Sequence, residues 1–337
     1  MKKIIILLIL ILSASCCFSQ TAEDYFNRGG TKFELKDYRG AIADYTKAIE
    51  LEPDYTEVYF NRGVIKSMLN DFRGALADYT KVIELHPDYS NAYLNRGFTK
   101  SNLEDYRGAI TDFNKVIELK PDDAAAYCNR GLVKRRLEDY RGAIVDYTKA
   151  IELKPDNADA YLNRGGNKFK LKDYGGAIAD LTKGLELKPD DAAAYCNRGN
   201  IKMKLKDYRG AIVDYTKAIE LNPDDAESYF IRGNAKSDLE DYISAIADYT
   251  KSIDLKQDNF PYYYNRGNAN RKLKEYRAAI ADYTKAIELN PDYSDAYLNR
   301  GIAKLMLSQK DIGCLDLSKA GELGNAEAYD IIREFCN

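Results

Sequence analysis

The tripeptide Asn-Arg-Gly recurs along this 337-residue chain at intervals of 34 residues. It first occurs at Asn27-Arg28-Gly29 and last at Asn299-Arg300-Gly301, and it is interrupted once, where Ile231 replaces the Asn. Self-similarity at a fixed period of roughly 20–50 residues is typical of arrays, because each unit buries its apolar face against its neighbours. The chain is therefore predicted to fold as one repeat array rather than as several unrelated globular domains.

Each unit contains two helical patterns. In the first unit, apolar residues spaced by three and four run from Tyr25 to Leu35. The second pattern opens after Asp37, which can cap the free N–H groups, and it stops before Pro53. Asp54, which follows this Pro, is expected to start the next helix, as are its equivalents. The nine units span 22–327 and begin at Ala22, Thr56, Ser90, Ala124, Ala158, Ala192, Ala226, Phe260 and Ser294.

A 34-residue helix-turn-helix unit with an aromatic residue, Gly, Ala, a second aromatic residue and Pro, in that order, resembles the tetratricopeptide repeat. In the first unit these places are held by Tyr25, Gly29, Ala41, Tyr45 and Pro53. The small residues allow two helices to approach closely, and the large aromatic rings are expected to fill the volume between them. The resemblance implies an all-α fold, a right-handed α-solenoid (superhelix) of nine repeats.

Two positions depart from the family pattern, which usually has Leu immediately before the Gly and Tyr three residues after it. This chain has Arg28 and Lys32 there, and all nine units have an Asp before the second-helix aromatic position. Like charges four residues apart repel each other, so we predict that the Asp neutralises them. The alternative is an anion-binding ladder of bases. Asn270 replaces the Lys in the eighth unit; representative clusters comprise Arg62, Lys66 and Asp78, and Arg130, Lys134 and Asp146.

Positions that differ between units indicate where a ligand could bind, because packing positions are held constant. In tetratricopeptide proteins the first helices line a concave face, so the resemblance implies that variable first-helix residues face a groove. It also implies that the Asn before each Arg hydrogen-bonds a bound peptide, which gives the candidates Asn61, Asn95, Asn129, Asn163 and Asn197. Basic residues on the same helices suggest an acidic or carboxylate-ended peptide, with a solvated mixed-charge surface as the alternative: Arg135, Arg136, Lys170, Lys204 and Arg271.

The N-terminus has the order of a secretory signal. Lys2 and Lys3 precede an unbroken apolar run over 4–12, and small residues follow it. A retained membrane span would need roughly 20 apolar residues. We therefore predict a signal peptide at 1–19 and an exported protein that is periplasmic, outer-membrane-associated or secreted. Lipidation of Cys16 is the alternative signal type, because the residues before it resemble a lipobox, and membrane contact is expected only in that case.

Four further cysteines would lie in the exported chain, where a disulfide is permitted. Cys128 and Cys196 hold the same place in non-adjacent units, too far apart for the roughly 7 Å that a bridge allows, and are expected to be small core residues. Cys314 and Cys336 lie in the last two predicted helices, so a disulfide there is possible. Residues 325–337 are predicted to form a capping helix, in a segment that resembles the start of a Sel1-like repeat.

No pattern of catalytic residues is found. The sequence lacks a phosphate-binding loop, a nucleophile elbow and a zinc-protease motif, and its single His86 precedes a Pro in a turn. The 50 basic and 53 acidic residues leave a net charge of only -3, which argues against nucleic acid. We predict a non-catalytic scaffold without metal or cofactor that binds a peptide or helix in its groove. The alternative is an outer-membrane-attached structural lipoprotein of an envelope transport or assembly complex.

Overall fold

The computed structural model describes residues 20–336. The predicted signal at 1–19, with Cys16, lies outside the described residues. Across 20–336 the regular structure is entirely α-helical and comprises nineteen helices. They form consecutive helical hairpins, which confirms the predicted all-α repeat fold. The chain divides into two compact units, of which the first ends at Asp156 and the second begins at Asn157.

The first unit is a stack of four hairpins. The two helices of a hairpin pack against each other, and each second helix also packs against the first helix of the following hairpin. The pairs are α1 (Ala22–Glu34) with α2 (Tyr38–Leu51), α3 (Thr56–Met68) with α4 (Phe72–Leu85), α5 (Ser90–Asn102) with α6 (Tyr106–Leu119), and α7 (Ala124–Arg136) with α8 (Tyr140–Leu153).

The second unit contains five hairpins and a terminal helix, packed by the same rule. Its pairs are α9 (Ala158–Lys170) with α10 (Tyr174–Leu187), α11 (Ala192–Lys204) with α12 (Tyr208–Leu221), α13 (Ala226–Asp238) with α14 (Tyr242–Leu255), α15 (Phe260–Lys272) with α16 (Tyr276–Leu289), and α17 (Ser294–Met306) with α18 (Lys310–Glu322). Helix α19 (Glu327–Phe335) then packs on α18.

Close packing within a hairpin depends on a Gly that lies under an aromatic ring. A Cβ atom on Gly29 would lie 2.6 Å from Cε1 of Tyr45, and one on Gly63 would lie 2.8 Å from Cε1 of Tyr79. Tyr45 and Tyr79 are almost completely buried, as is Ala41 on the second helix. Tyr25, which was expected to fill the same volume, is half-buried and packs against the buried cluster that contains Ala41 and Tyr45.

Helix caps explain where the second helices begin. The predicted cap is confirmed at Asp37, whose Oδ1 accepts a hydrogen bond from the Gly40 N–H at 3.0 Å. The expectation that Asp54 starts the next helix is wrong, because the chain needs one more residue to complete the turn after the Pro. The N-cap of α3 is therefore Tyr55, without a side-chain hydrogen bond, whereas Asp123 at the same place caps α7. Equivalents of Asp37 cap six more second helices: Asp71, Asp105, Asp139, Asp173, Asp207 and Asp241.

The turn inside each hairpin uses a left-handed residue that is not glycine. Lys36 has φ 61°, its N–H bonds to the Phe33 carbonyl, and the Asp37 N–H bonds to the Lys32 carbonyl. This pattern is a Schellman motif, which usually has Gly at the left-handed place. Nine residues adopt φ between 60° and 65° there: Lys36, Asn70, Glu104, Glu138, Lys172, Lys206, Glu240, Lys274 and Ser308.

A disulfide fastens the C-terminal helix. Cys314 of α18 and Cys336 after α19 are bonded, with Cα atoms 5.8 Å apart. Beside them Leu317 and Ala328 form a small buried cluster with neighbouring apolar residues. The other two cysteines of the described chain, at positions 128 and 196, form no disulfide. Both are half-buried, and Cys196 packs against the buried cluster of Ala211, Tyr215 and Ala235. No helix among the described residues is both long enough and apolar enough to cross a bilayer.

Candidate functional site

Each hairpin junction contains a buried carboxylate, which is held by an Arg and a Lys in every hairpin except the eighth. In the fourth hairpin, Asp146 is only 1% exposed. Arg130 contacts it with two nitrogens, with Nη2 at 2.6 Å from Oδ1 and Nε at 3.0 Å from Oδ2. Lys134 Nζ lies 2.8 Å from the same Oδ2. Both carboxylate oxygens are therefore satisfied, as a buried charge requires.

The same cluster recurs with nearly constant geometry. In the second hairpin, Arg62 Nη2 lies 2.6 Å from Asp78 Oδ1 and Lys66 Nζ lies 2.8 Å from Oδ2. In the eighth hairpin no Lys is present, and the Asn270 amide donates to Oδ2 of Asp282 at 2.9 Å instead. The structure thus brings together the bases and acids that the sequence pairs in register.

Two partners of Arg62 were not identified from the sequence. Arg62 Nη1 donates to Thr46 Oγ1 in the preceding hairpin at 3.0 Å, so the guanidinium joins two hairpins. Its Cζ also lies 5.6 Å from the centre of the Tyr59 ring, in a cation–π contact. Arg130 makes the equivalent bond to Asn114 at 2.6 Å. With its donors directed at residues of two hairpins, the ladder of bases favours a structural role over anion binding.

The first hairpin has no preceding hairpin to cover its junction. Arg28 there is 41% exposed, against 14% for Arg62, and its Nη1 bonds to Gln20. Hydrogen bonding from Arg28, with a smaller contribution from Lys32, holds the pKa of Asp44 below its ordinary value, although burial of the carboxyl opposes the shift. This carboxylate therefore stabilises the fold only while it is ionised.

Two cavities open between successive first helices of the first unit. Positions are counted here from the first residue of each repeat, so that Ala22 and Thr56 are both position 1. A cavity of about 330 Å³ lies between α1 and α3, with Tyr45 at its floor. Its other lining residues are Gly30, Phe33, Glu34, Asn61, Val64 and Ile65.

A second cavity of about 280 Å³ lies between α5 and α7, with Phe113 at its floor. In both cavities the residue at position 24 of one repeat forms the floor. The walls are formed by positions 9, 12 and 13 of that repeat and by positions 6, 9 and 10 of the next repeat. We call the surface formed by these first-helix positions the first-helix face. The side chains around the second cavity are Phe98, Ser101, Asn102, Glu104, Tyr106, Asn129, Leu132, Val133 and Arg136.

The predicted asparagines differ in their surroundings. Asn61 and Asn129 lie at the cavities. Asn95 is half-buried and Asn197 is exposed. Asn163 donates from Nδ2 to the backbone carbonyl of Asp159 at 2.8 Å, so one of its donors is directed to its own helix.

The predicted basic residues are divided between the two units. Arg136 lines the second cavity, and Arg135 is half-buried in the same helix. In the second unit Lys170 and Lys204 are exposed at the ends of α9 and α11. Arg271 is half-buried, and its buried Nε has no hydrogen-bond partner among the described residues. Among the described residues, no group of three or more His, Cys, Asp or Glu side chains could hold a metal ion.

Family models match most of the chain. Models described as tetratricopeptide repeat match 124–157, 192–225 and 261–293, then 78–111, 214–247 and 282–314, and also 57–89. A model described as TPR repeat matches 29–69, 102–137 and 168–206. No curated protein matches the sequence.

Solved structures of the same architecture are similar to this chain. A tetratricopeptide repeat protein from Parabacteroides merdae is 20% identical, with 74% of this chain and 99% of that one covered and a TM-score of 0.52. YrrB, described as a TPR protein with an unusual peptide-binding site, is 24% identical, with 55% and 95% covered and a TM-score of 0.50. At these identities the likeness is one of fold.

Proposed function

The chain belongs to the tetratricopeptide repeat family, and we therefore propose that it is a non-catalytic scaffold that holds an extended peptide or a helix along its first-helix face. Proteins of this family are protein–protein interaction scaffolds and are typically non-catalytic. The partner is accordingly a protein or peptide, and neither a cofactor nor nucleic acid is part of the proposal.

The observation that carries this proposal is the pair of cavities in the first unit. Each has an aromatic floor, at Tyr45 or Phe113, and an asparagine at its edge, at Asn61 or Asn129. A concave pocket that combines apolar and aromatic walls with polar groups suits an anchoring side chain and the backbone beside it. The side chains at position 12 differ, with Phe33 in one cavity and Ser101 in the other, so the two cavities would select different anchors.

Basic residues near these positions support an acidic or carboxylate-ended peptide as the ligand. Arg136 lines the second cavity and Arg135 lies beside it in sequence. Charge on such a surface mainly raises the association rate, and salt weakens this effect. Binding that is unchanged in Arg135→Glu/Arg136→Glu would remove the charge preference while leaving the proposed scaffold intact.

We further propose that the protein is exported, on the basis of the signal pattern at 1–19. The alternative, a structural lipoprotein of an envelope complex attached to the outer membrane, rests on the lipobox-like residues before Cys16. Metabolic labelling with radioactive palmitate separates the two. Label that is incorporated and then lost in Cys16→Ser supports the lipoprotein, and absence of label supports the unlipidated exported scaffold.

The proposed scaffold is tested by affinity capture from envelope extracts followed by mass spectrometry. The test variant is Leu132→Arg, which places a charged side chain into the second cavity. Its control is Val145→Arg, which makes a similar change in the same hairpin at a side chain that is 66% exposed on α8. We expect one set of proteins to be captured by the wild type and by Val145→Arg and lost with Leu132→Arg. Equal capture by all three chains would refute binding at this face.

A further inference from the structure

Three asparagines recur at position 9 of successive repeats in the second unit. Each accepts a hydrogen bond at Oδ1 from the hydroxyl of the position-24 tyrosine, at 2.8 to 2.9 Å. All three tyrosines are buried, with at most 1% of their surface exposed. The pairs are Tyr215 with Asn200, Tyr249 with Asn234, and Tyr283 with Asn268.

The hydrogen bonding around Tyr283 fixes which way the amide of Asn268 faces. The Tyr283 hydroxyl donates to Oδ1 of Asn268, and Asn299 Nδ2 donates to the same oxygen at 3.4 Å. Only the oxygen of an amide accepts, so Oδ1 faces these two donors. The two N–H groups of Asn268 consequently face away from the tyrosine, and no acceptor within residues 20–336 bonds them.

Position 9 belongs to the surface where the first unit has its cavities. There Gly30 and Val64 line one cavity, and Phe98 and Leu132 line the other, above the position-24 ring. In the second unit the same place is taken by a polar amide held from below by a buried hydroxyl. At position 9, therefore, the residues that line the cavities of the first unit are Gly or apolar, whereas those of these three repeats of the second unit are hydrogen-bond donors.

The spacing of the amides can be related to the repeat of a bound chain. First helices α13 and α15, which carry Asn234 and Asn268, contact each other. Helices in contact have axes about 8–10 Å apart. A polyproline II helix has three residues per turn and rises about 3.1 Å per residue, so every third carbonyl points the same way at intervals of about 9 Å. A β-strand alternates its carbonyls and does not match this interval.

We propose that Asn200, Asn234 and Asn268 form an asparagine ladder that binds the backbone carbonyls of a peptide in the polyproline II conformation. The class of ligand is therefore a proline-rich segment of a partner protein. Proline suits such a ligand because it lacks a backbone N–H but keeps its carbonyl, and the ladder needs only the carbonyl. This inference rests on the proposed function, of which it specifies the ligand in the second unit.

Aromatic rings next to the ladder fit the same ligand. Phe230 and Tyr264 lie at position 5 of α13 and α15, where both pack on the buried cluster that includes Tyr262 and remain partly exposed. The Tyr264 hydroxyl accepts from Asn299 Nδ2 at 3.0 Å, which holds the ring of Tyr264 in place between two repeats. Proline-rich segments dock on surfaces lined with aromatic rings, and the ordered polyproline II conformation reduces the entropic cost of binding.

The test measures binding of two fluorescent peptides to the exported chain by fluorescence anisotropy. One is an oligoproline of about nine residues, which makes three turns, and the other is a Gly/Ser peptide of the same length. We expect the oligoproline to bind at least about tenfold more tightly. Asn234→Asp/Asn268→Asp keeps an oxygen for each tyrosine hydroxyl but replaces the outward donor with an acceptor, and should weaken oligoproline binding by about tenfold or more.

The matched control is Asn222→Asp, the same change at an exposed residue that ends α12. It should bind oligoproline like the wild type. Equal binding of the two peptides, or unchanged binding by the double variant, would overturn the asparagine ladder. If capture of partner proteins still depends on Leu132 in that case, the proposed scaffold stands and only the ligand class is wrong. If capture also fails to depend on Leu132, the proposed function fails as well.

Discussion

Arg62 donates a hydrogen bond from Nη1 to Thr46 Oγ1 across 3.0 Å, and this bond joins two successive hairpins. The same guanidinium is paired with Asp78 inside its own hairpin. A single side chain therefore links the packing within a repeat to the packing between repeats. The array is stabilised by this polar ladder as well as by the apolar contacts of its aromatic rings.

Removing one buried carboxylate should therefore be costly. We expect Asp146→Ala to lower the free energy of unfolding by about 3–5 kcal/mol, because it leaves Arg130 and Lys134 without their counter-charge. Urea unfolding followed by circular dichroism measures this. The control is Glu152→Ala in the same helix, where an exposed ion pair with Lys149 is lost. That change should cost at most about 0.5 kcal/mol, and an equal cost for both variants would contradict the buried cluster.

Adjacent glycines in α1 should respond oppositely to alanine. In Gly29→Ala the new Cβ would lie 2.6 Å from the Tyr45 ring, so we expect a loss of about 1–3 kcal/mol from overpacking. In Gly30→Ala the nearest atom is the Tyr45 hydroxyl at 4.0 Å. Here the better helix propensity of Ala should add about 0.5–1 kcal/mol. Thermal melts of the two variants should shift in opposite directions, and two downward shifts would be inconsistent with this packing.

The left-handed turn residues are places where glycine should help. Glu138 has φ 61°, a conformation that costs an L-residue more than it costs Gly. We expect Glu138→Gly to raise the free energy of unfolding by about 0.5 kcal/mol after the greater chain entropy of Gly is subtracted. Asn70→Gly is the control, because Asn tolerates this region better and should gain less. A clear loss of stability in Glu138→Gly would show that the turn is not strained.

The contribution of Asp44 should depend on pH. Its pKa is lowered in the folded state, chiefly by the hydrogen bond from Arg28, so the folded chain favours the ionised form. The stabilisation is present above the unfolded pKa of about 3.9 and is lost as the pH falls through the lower folded value. Between about pH 5 and 8 the wild type should melt at a higher temperature than Asp44→Asn by a constant amount. The two melting temperatures should converge at lower pH. A gap that widened on acidification would contradict this sign.

The C-terminal disulfide should hold α19 in place. Cys314→Ser/Cys336→Ser opens a loop between residues 22 apart in sequence, which should cost about 3 kcal/mol locally. We expect hydrogen exchange at 327–335 to increase while the earlier hairpins are unchanged. Reducing agent should reproduce this in the wild type and have no further effect on the double variant. Equal protection of the helix in both proteins would argue that packing alone is sufficient.

Much of the fold could be predicted from the sequence because the same pattern of residues is repeated nine times. The 34-residue period and the capping Asp37 with its equivalents predicted the hairpins. The pairing of Arg130 with Asp146 could be inferred because acids recur in step with bases. The bond from Arg62 to Thr46 could not be inferred from the sequence. Thr carries no charge that would indicate its partner, and the bond joins two different hairpins.

Other features depend on geometry that a pattern does not express. Lys36 and its equivalents were missed as left-handed residues because that place in a turn usually has Gly. The helix start expected at Asp54 was wrong by one residue. The cavities depend on how far the side chains at position 9, such as Gly30 or Leu132, fill the space above the floor. The asparagine ladder appears only once the tyrosine hydroxyls below Asn200, Asn234 and Asn268 are located.

The most direct test of the central claim, that the first-helix face binds the partner, is site-specific photo-crosslinking in cells. Benzoylphenylalanine would replace Asn102 at the second cavity in one chain and Glu118 in another. Glu118 is exposed on α6 and pairs with Lys115. We predict a crosslinked protein from position 102 and none from position 118. Crosslinks from position 118 alone would contradict the account and place the partner on the second helices.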